Sequence, residues 1–291
     1  MKVGLQINRF DYPKGTTHLG QDLKELALAA ENNGFDSLWV MDHFFQLEGI
    51  GNYTDPMLEA YTALGYIAGF TSKVKLGTMV TGVIYREPAV LINAVTTLDV
   101  LSGGRAYLGI GAGWNVQEAS ALGLLDPLHS KRFDRLEDTL KLAIKMWSGD
   151  SKAFNGKVYS LPEPYLSPQP VTKPHPPILI GGGGEEKTLR LVAKYGDACN
   201  LFARDMDQLE HKLQVLKQRC KEVGRDYEEI EKTVLAGVDI SSAANNLDKT
   251  LESAKTLKAL GINHVIYANS KDNDLSAFDR FSKTLDVIHK L

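Results

Sequence analysis

The sequence predicts an α/β fold of the (β/α)8 class, a TIM barrel with insertions that forms a single domain over residues 1–291. Apolar segments alternate with segments whose apolar residues recur at helical spacing, and the alternation yields eight strand–helix units. The apolar segments are nearly continuous, which is typical of parallel strands buried on both faces. Barrels of this class often use about 250 residues as one unit. Periodicity alone leaves a doubly wound open sheet as the alternative.

The first four predicted strands alternate with three helices. Strands are predicted at 2–8, 36–40, 74–82 and 105–111, and helices at 19–34, 56–70 and 87–104. The first helix ends at Gly34, a usual C-cap, and the second has Pro56 in its first turn, where proline is favoured. The third helix stops at Gly103 and Gly104, so each of these helices has a boundary signal of its own.

The regular alternation is interrupted after the fourth strand. Residues 114–130 are predicted to form a loop, 133–147 a long amphipathic helix and 153–161 a small hairpin around Asn155-Gly156. Residues 162–177 contain seven prolines and are expected to be an extended surface connection. The largest insertion therefore lies between strands four and five.

The alternation resumes in the second half of the chain. Strands are predicted at 178–182, 197–202, 231–240 and 262–268, and helices at 186–196, 206–224, 247–261 and 274–291. This half completes the eight units that a closed barrel requires.

Composition narrows the classes of function. The chain is 43% apolar and 24% charged with a net charge of −3, which describes an ordinary globular protein without a basic stripe for nucleic acid. No apolar run reaches the length of a membrane span, and the N-terminus reads as a strand rather than a signal peptide. Cys199 and Cys220 provide neither a disulfide framework nor a metal-binding spacing, so we expect a cytoplasmic protein without a metal site.

If the fold is a barrel, its chemistry is expected on the loops at the C-terminal ends of the strands. One such loop contains the four glycines Gly181 to Gly184, between a strand and a helix. Backbone N–H groups at such a junction favour an anion, and four glycines are entropically costly for a mere tight turn. The Lys-Ser/Thr of a P-loop is missing. The glycine run is therefore predicted to bind phosphate.

Two further loops carry candidate residues. Asp42-His43 follows the second strand, and a histidine beside a carboxylate is suited to proton transfer, although a structural histidine next to a capping aspartate remains open. The segment GIGAGWN follows the fourth strand, where Trp114 could cap the barrel and Asn115 could be only a helix N-cap. Arg204 could add charge to the phosphate site, but a plain surface arginine is favoured there.

Five blocks of sequence resemble the bacterial luciferase-like superfamily, in particular its flavin-dependent and coenzyme F420-dependent oxidoreductases. They include TTLDVLSGGRAYLGIGAGWN (96–115), GFDSLWVMDHF (34–44) and PPILIGGGGEEKTLRLVAKYGDACN (176–200), together with 55–91 and 257–267. The blocks span nearly the whole chain in family order. The resemblance implies a TIM barrel, commonly a homodimer, which binds coenzyme F420 or alternatively FMN.

The resemblance also implies roles for individual residues. The cofactor ring would stack on a bulge at the end of the third strand, with a cis peptide at Met79-Val80. His43 would act in proton transfer, and Asp42 and the GAGWN loop would contact the ring and its ribityl chain. The implied cofactor-binding residues are Asp42, Met79, Val80, Thr81, Ala112, Gly113, Asn115, Gly182, Gly183, Gly184 and Glu185. A phosphate site after the fifth strand departs from the usual barrel position after strands seven and eight.

The predicted function is hydride transfer between coenzyme F420 and a small organic substrate. An FMN-dependent monooxygenase supplied by a partner reductase is the first alternative, and a flavin-binding barrel without catalytic activity is the second. In each case the cofactor carries the redox chemistry, while the protein supplies position, a proton and exclusion of water. Substrate identity is not predicted.

Overall fold

The structure is a computed structural model that describes residues 1–124 and 131–291. Its strands are β1 (Lys2–Ile7), β2 (Ser37–Val40), β3 (Lys75–Thr78), β4 (Thr81–Gly82), β5 (Ala106–Gly111), β6 (Phe154–Asn155), β7 (Ser160–Leu161), β8 (Ile178–Gly181), β9 (Ala198–Phe202), β10 (Glu231–Asp239) and β11 (His264–Ala268). Parallel pairing runs in the order β3, β2, β1, β11, β10, β9, β8, β5. Strand β3 also pairs with β5, placing Leu76 opposite Ala106. This pairing closes the barrel, confirms the (β/α)8 class and excludes the open sheet.

The predicted third strand, 74–82, is divided into two pieces. β3 pairs with β2 and β5, whereas β4 pairs only with β5 and places Thr81 opposite Ile110. Met79 and Val80 lie between the two pieces, and we call these two residues the bulge. The peptide bond between them is cis, as the family resemblance predicted.

The helices are α1 (Leu19–Asn32), α2 (Ala60–Ala68), α3 (Pro88–Leu101), α4 (Val116–Ala121), α5 (Arg132–Trp147), α6 (Thr188–Tyr195), α7 (Met206–Val223), α8 (Ile240–Asn245), α9 (Leu247–Ala259) and α10 (Ser276–Lys290). Helix α3 has Pro88 in its first turn, and α7 ends at Gly224, whose φ of 70° suits a glycine C-cap. The eight long predicted helices are present. The short helices α4 and α8 were not predicted.

The insertion differs from its prediction in detail. Strands β6 and β7 form the expected hairpin, but Asn155 itself pairs with Ser160, and the N–H of Gly156 donates to Tyr159 O over 2.8 Å. The loop is therefore 156–159, not a two-residue Asn155-Gly156 turn. Residues 162–177 contain no helix or strand, as predicted. The predicted loop 114–130 contains α4, and its last six residues lie outside the described part.

Apolar side chains fill both the barrel interior and the layer beneath the helices. The interior cluster consists of Trp39, Met79, Tyr107, Leu179, Ala198 and Ile266. Strand β3 approaches β5 so closely that a Cβ added at Gly109 would lie 1.7 Å from the carbonyl oxygen of Thr78. Within the described ranges no helix is long and apolar enough to cross a membrane.

Candidate functional site

The C-terminal ends of three barrel strands meet at the bulge. A Cβ added at Gly181 would lie 2.9 Å from both γ-carbons of Val80, and one added at Gly111 would lie 3.0 Å from Val80 Cγ2. The side chain of Val80 therefore lies against the ends of β5 and β8. Gly181 and Gly111 make room for Val80 itself, so at Gly181 the missing side chain accommodates protein rather than ligand.

The remaining glycines of the run have different roles. Gly182 has a φ of 118°, which side chains rarely adopt. A Cβ added at Gly184 would lie 3.0 Å from Thr188 Oγ1, whereas one added at Gly183 would meet nothing closer than the 3.8 Å to Lys212 Cε. Helix α6 begins only at Thr188, because residues 185–187 form a turn. Of the four glycines, Gly183 is therefore the one at which an added side chain would meet the fewest close protein atoms.

The charged groups beside the glycine run come from α7. Lys212 donates a hydrogen bond to the carboxylate of Glu185, and His211 Nε2 lies 3.1 Å from the same oxygen. The hydrogen bond from Lys212 lowers the pKa of Glu185. Lys212 was not predicted, since nothing in its own segment distinguishes it from any exposed helical lysine. Arg204 is exposed and lies over the ring of Phe202 at 5.4 Å, which matches the surface alternative.

His43 is held by a carboxylate, but not by Asp42. Its Nδ1 lies 2.7 Å from Oε2 of Glu118, a fully buried residue of α4 that is 75 positions away in sequence. The other oxygen, Oε1, accepts the backbone N–H groups of Phe44 and of Phe45, the latter over 3.0 Å. The pairing of His43 with Asp42 as its carboxylate was therefore wrong: the strand end places Glu118, not Asp42, against the imidazole.

The hydrogen bonds around Glu118 favour its ionised form. Burial raises the pKa of Glu118, but hydrogen bonds from His43 and Tyr85 outweigh it and lower the pKa overall. Tyr85 donates its O–H to Glu118 Oε2, and burial together with this bond raises the pKa of Tyr85. The ring of Trp114, which is 64% exposed, stands edge-on to His43 with centroids 5.8 Å apart. Both hydrogen bonds that the described residues make to the imidazole involve Nδ1.

The carboxylate of Asp42 is paired with the guanidinium of Arg86. The guanidinium donates to both carboxylate oxygens over 2.5 and 2.9 Å, and it also contacts Glu59, the N-cap of α2. Asp42 is 1% exposed. Burial alone would lower the pKa of Arg86, but the bond to Asp42 raises it. Asp42 therefore ties the loop after β2 to the loop after β4, and its contact with a cofactor ring stays a prediction.

The GIGAGWN segment (109–115) leads from the end of β5 to Asn115, the N-cap of α4. Asn115 Oδ1 accepts the N–H of Glu118 over 3.1 Å, so the N-cap alternative describes this side chain. Gly113 has a φ of 75°, and its carbonyl accepts from Arg132 over 3.0 Å. Ala112 is half-buried beside it. The spacing Asn115-x-x-Glu118 matches a capping-box signature, which could have predicted this helix and with it the position of Glu118.

Solved structures share this architecture. An F420-dependent secondary alcohol dehydrogenase, in complex with an F420-acetone adduct, superposes with a TM-score of 0.83 at 22% identity, covering 99% of this chain and 98% of its own. The oxygenating constituent of 3,6-diketocamphane monooxygenase from Pseudomonas putida, in complex with FMN, gives a TM-score of 0.77 at 16% identity and covers 98% of both chains. At these identities the likeness shows the fold.

Curated relatives match in sequence. The F420-dependent glucose-6-phosphate dehydrogenase of Amycolatopsis mediterranei is 32% identical over 221 residues, which is 74% of this chain and 63% of the relative. The protein of the same name from Kineococcus radiotolerans is 32% identical over 238 residues, or 80% and 66%. This chain thus spans slightly less than two thirds of the length of these relatives.

Most of the sequence also matches a family model. The match to the luciferase-like monooxygenase model extends over residues 8–248, from the end of β1 into the start of α9. It includes the bulge, the Asp42-His43 loop, Glu118 and the glycine run. This chain belongs to the luciferase-like monooxygenase family.

Proposed function

We propose that this protein is an oxidoreductase that transfers hydride between coenzyme F420 and a small organic substrate. The observation that carries the proposal is the imidazole of His43 at the barrel mouth, fixed through Nδ1 by the buried carboxylate of Glu118. Relatives at 32% identity are named F420-dependent dehydrogenases, which supports the choice of cofactor. Because a deazaflavin does not readily activate oxygen, the choice of cofactor also decides the class of reaction.

The residues present fit such a cofactor. The space beside Gly183 would take a phosphate close to the backbone, with the side chain of Lys212 next to it. Met79, Val80 and Thr81 would support the ring, Gly182 to Gly184 would hold the phosphate, and the remaining proposed contacts are Asp42, Ala112, Gly113, Asn115 and Glu185. Bound F420 would supply the two-electron hydride chemistry.

His43 is the proposed acid and base. Glu118 is ionised and its carboxylate only accepts, so Nδ1 of neutral His43 carries the ring proton. This leaves Nε2 as the nitrogen that takes a hydroxyl proton when a substrate alcohol is oxidised and returns it when a carbonyl is reduced. Tyr85 keeps its hydroxyl proton and donates it in the hydrogen bond to Glu118, because the pKa of Tyr85 is raised. The role of Glu118 is to fix the tautomer and orientation of His43.

The test begins with cofactor identity. The purified protein is incubated with F420 and with FMN, and the bound cofactor is identified by absorbance and mass. F420 that is bound and then reduced anaerobically by candidate alcohols or sugar phosphates is the expected result. Binding of FMN with oxygen-dependent product formation in the presence of a reductase would establish the monooxygenase alternative. A bound cofactor that no substrate reduces and no oxygen chemistry uses would establish the non-catalytic barrel.

We also propose a cytoplasmic homodimer in which residues 1–291 form one domain. The support is the resemblance to dimeric family members and the absence, in the described residues, of a helix able to span a membrane. Light scattering at micromolar protein is expected to give twice the mass of the 32.0 kDa chain. A mass equal to one chain would contradict the dimer.

A further inference from the structure

A chain of side-chain hydrogen bonds lies behind the bulge. The hydroxyl of Tyr61, on α2, lies 2.8 Å from Thr81 Oγ1, which lies 3.0 Å from Thr78 Oγ1. Thr78 Oγ1 in turn lies 2.7 Å from the carbonyl oxygen of Gly109 on β5. Both threonines are fully buried, and they directly flank the two residues of the bulge. The chain therefore fixes the backbone on both sides of the bulge.

The direction of every bond in this chain is determined. The carbonyl of Gly109 can only accept, so Thr78 donates its single proton there and accepts from Thr81. Thr81 has then used its own proton, so it must accept from Tyr61. The phenol of Tyr61 is thus the donor at the head of the chain, and it keeps its proton because burial raises its pKa. Removing that one hydroxyl detaches the bulge from Tyr61 on α2, and only the two bonds from Thr81 to Thr78 and from Thr78 to Gly109 remain.

The same tyrosine is joined to the proton-transfer loop. The guanidinium of Arg86 lies over the ring of Tyr61, 4.9 Å from its centroid, and it clamps both oxygens of Asp42. Asp42 immediately precedes His43. One continuous set of contacts thus leads from the bulge through Tyr61 and Arg86 to the backbone of the histidine.

We propose that Tyr61 is a positioning residue, which holds the bulge and the Asp42-His43 loop in a fixed relation to each other. The inference rests on the proposed function, in which the bulge supports the cofactor ring and His43 moves the proton. Hydride and proton leave neighbouring atoms of one substrate, so the cofactor ring and His43 must be held at the correct distance and orientation relative to each other. Errors of about 1 Å in such positioning cost up to about 100-fold in rate.

The test compares Tyr61→Phe with a matched control on the same helix. Tyr61→Phe keeps the ring beneath Arg86 and removes only the hydroxyl. Tyr66→Phe also removes a phenol from α2, one that donates to the carbonyl of Gly20 away from the mouth over 3.1 Å. We expect Tyr61→Phe to lower kcat about 10- to 100-fold with a smaller change in KM, and to shift the absorbance of bound F420. The control should match wild type in both.

A second pair of variants separates positioning from folding. Thr78→Val interrupts the chain at its acceptor end and is expected to reproduce the slower turnover and the spectral shift of Tyr61→Phe. Thr78→Ser keeps the hydroxyl and should recover most of the rate. The bond between His43 and Glu118 is untouched in all of these variants.

Four outcomes would overturn the inference. The first is a folded Tyr61→Phe protein with the wild-type kcat and spectrum. The second is a Tyr61→Phe protein whose only change is a lower melting temperature. A wild-type protein that binds FMN and not F420 would contradict the proposed function alone. The variants would then be compared by the absorbance of bound FMN, and the absence of a spectral shift in Tyr61→Phe would be the third outcome. A wild type that binds neither cofactor overturns both.

Discussion

The glutamine variant of Glu118 tests the proposed acid–base pair most sharply, because the structure fixes how the new amide must lie. Oε1 of Glu118 accepts the backbone N–H groups of Phe44 and Phe45, whereas Oε2 faces His43 and Tyr85. In Glu118→Gln the amide oxygen must stay with the two backbone donors. The reverse orientation leaves two partly buried N–H groups unpaired, each at a cost of up to about 1–3 kcal/mol, the range for a fully buried group. The NH2 group therefore faces Nδ1 of His43.

That orientation reverses the tautomer of His43. Nδ1 becomes the acceptor and the ring proton moves to Nε2, which then has no lone pair for a substrate proton. A positioned base contributes about 10²–10⁴-fold, so we expect alcohol oxidation to fall by that factor, or about 3–5 kcal/mol of barrier. F420 affinity should stay within a few-fold, since Glu118 lies buried behind His43. The measurement is single-turnover hydride transfer across pH, together with F420 titration.

Glu87→Gln is the matched control for charge. Glu87 is exposed, lies next to Arg86 and forms no side-chain cap bond to α3, so its loss should leave the rate unchanged. Tyr85→Phe removes one donor from Glu118 without reversing the tautomer, and a loss smaller than that of Glu118→Gln is expected. The reasoning is refuted if Glu118→Gln folds, binds F420 and keeps the wild-type rate and pH profile.

The remaining predictions concern His43, the glycine run and the opposite end of the barrel. His43→Gln should lower turnover about 10²–10⁴-fold with F420 binding nearly intact, and an unchanged pH–rate profile would make the histidine structural. Gly183→Val should weaken F420 binding in a folded protein, because the new Cβ meets no protein atom nearer than 3.8 Å while the side chain enters the space proposed for the phosphate. Unchanged affinity in a titration would contradict the phosphate site. Burial raises the pKa of Glu231, yet bonds from His264 and Lys2 lower it to about 2. The stabilisation that ionised Glu231 contributes is therefore complete above its ordinary pKa of 4.5 and is lost as pH falls toward 2. Urea unfolding should show that Glu231→Gln lowers the free energy of unfolding more near neutral pH than at about pH 3. An equal loss at both pH values would count against this role of Glu231.

The fold was predictable because its signals are local. Each long helix repeats its apolar residues over two or more turns, and several ends carry a residue with a known preference, such as Pro88 at the start of α3. The short helices were missed for the same reason. Helix α4 has six residues, too few for a periodic pattern, and α8 follows Asp239 at the end of β10 without a loop between them. Even so, the Asn115-x-x-Glu118 spacing was a local signal that could have identified α4.

The pairing of charged groups at the mouth has no comparable local signal. Asp42 is the nearest carboxylate to His43 in sequence, yet both residues lie in the loop after β2, where adjacency in sequence does not decide which groups their side chains meet. Asp42 thus reaches Arg86, and His43 reaches Glu118 from a different strand–helix unit. Glu118 itself has the position of a capping-box glutamate, but its carboxylate holds the imidazole and the backbone after β2 instead of the start of its own helix. A sequence pattern can therefore place a carboxylate at the mouth of a barrel, while only closure of the barrel decides which base it orients.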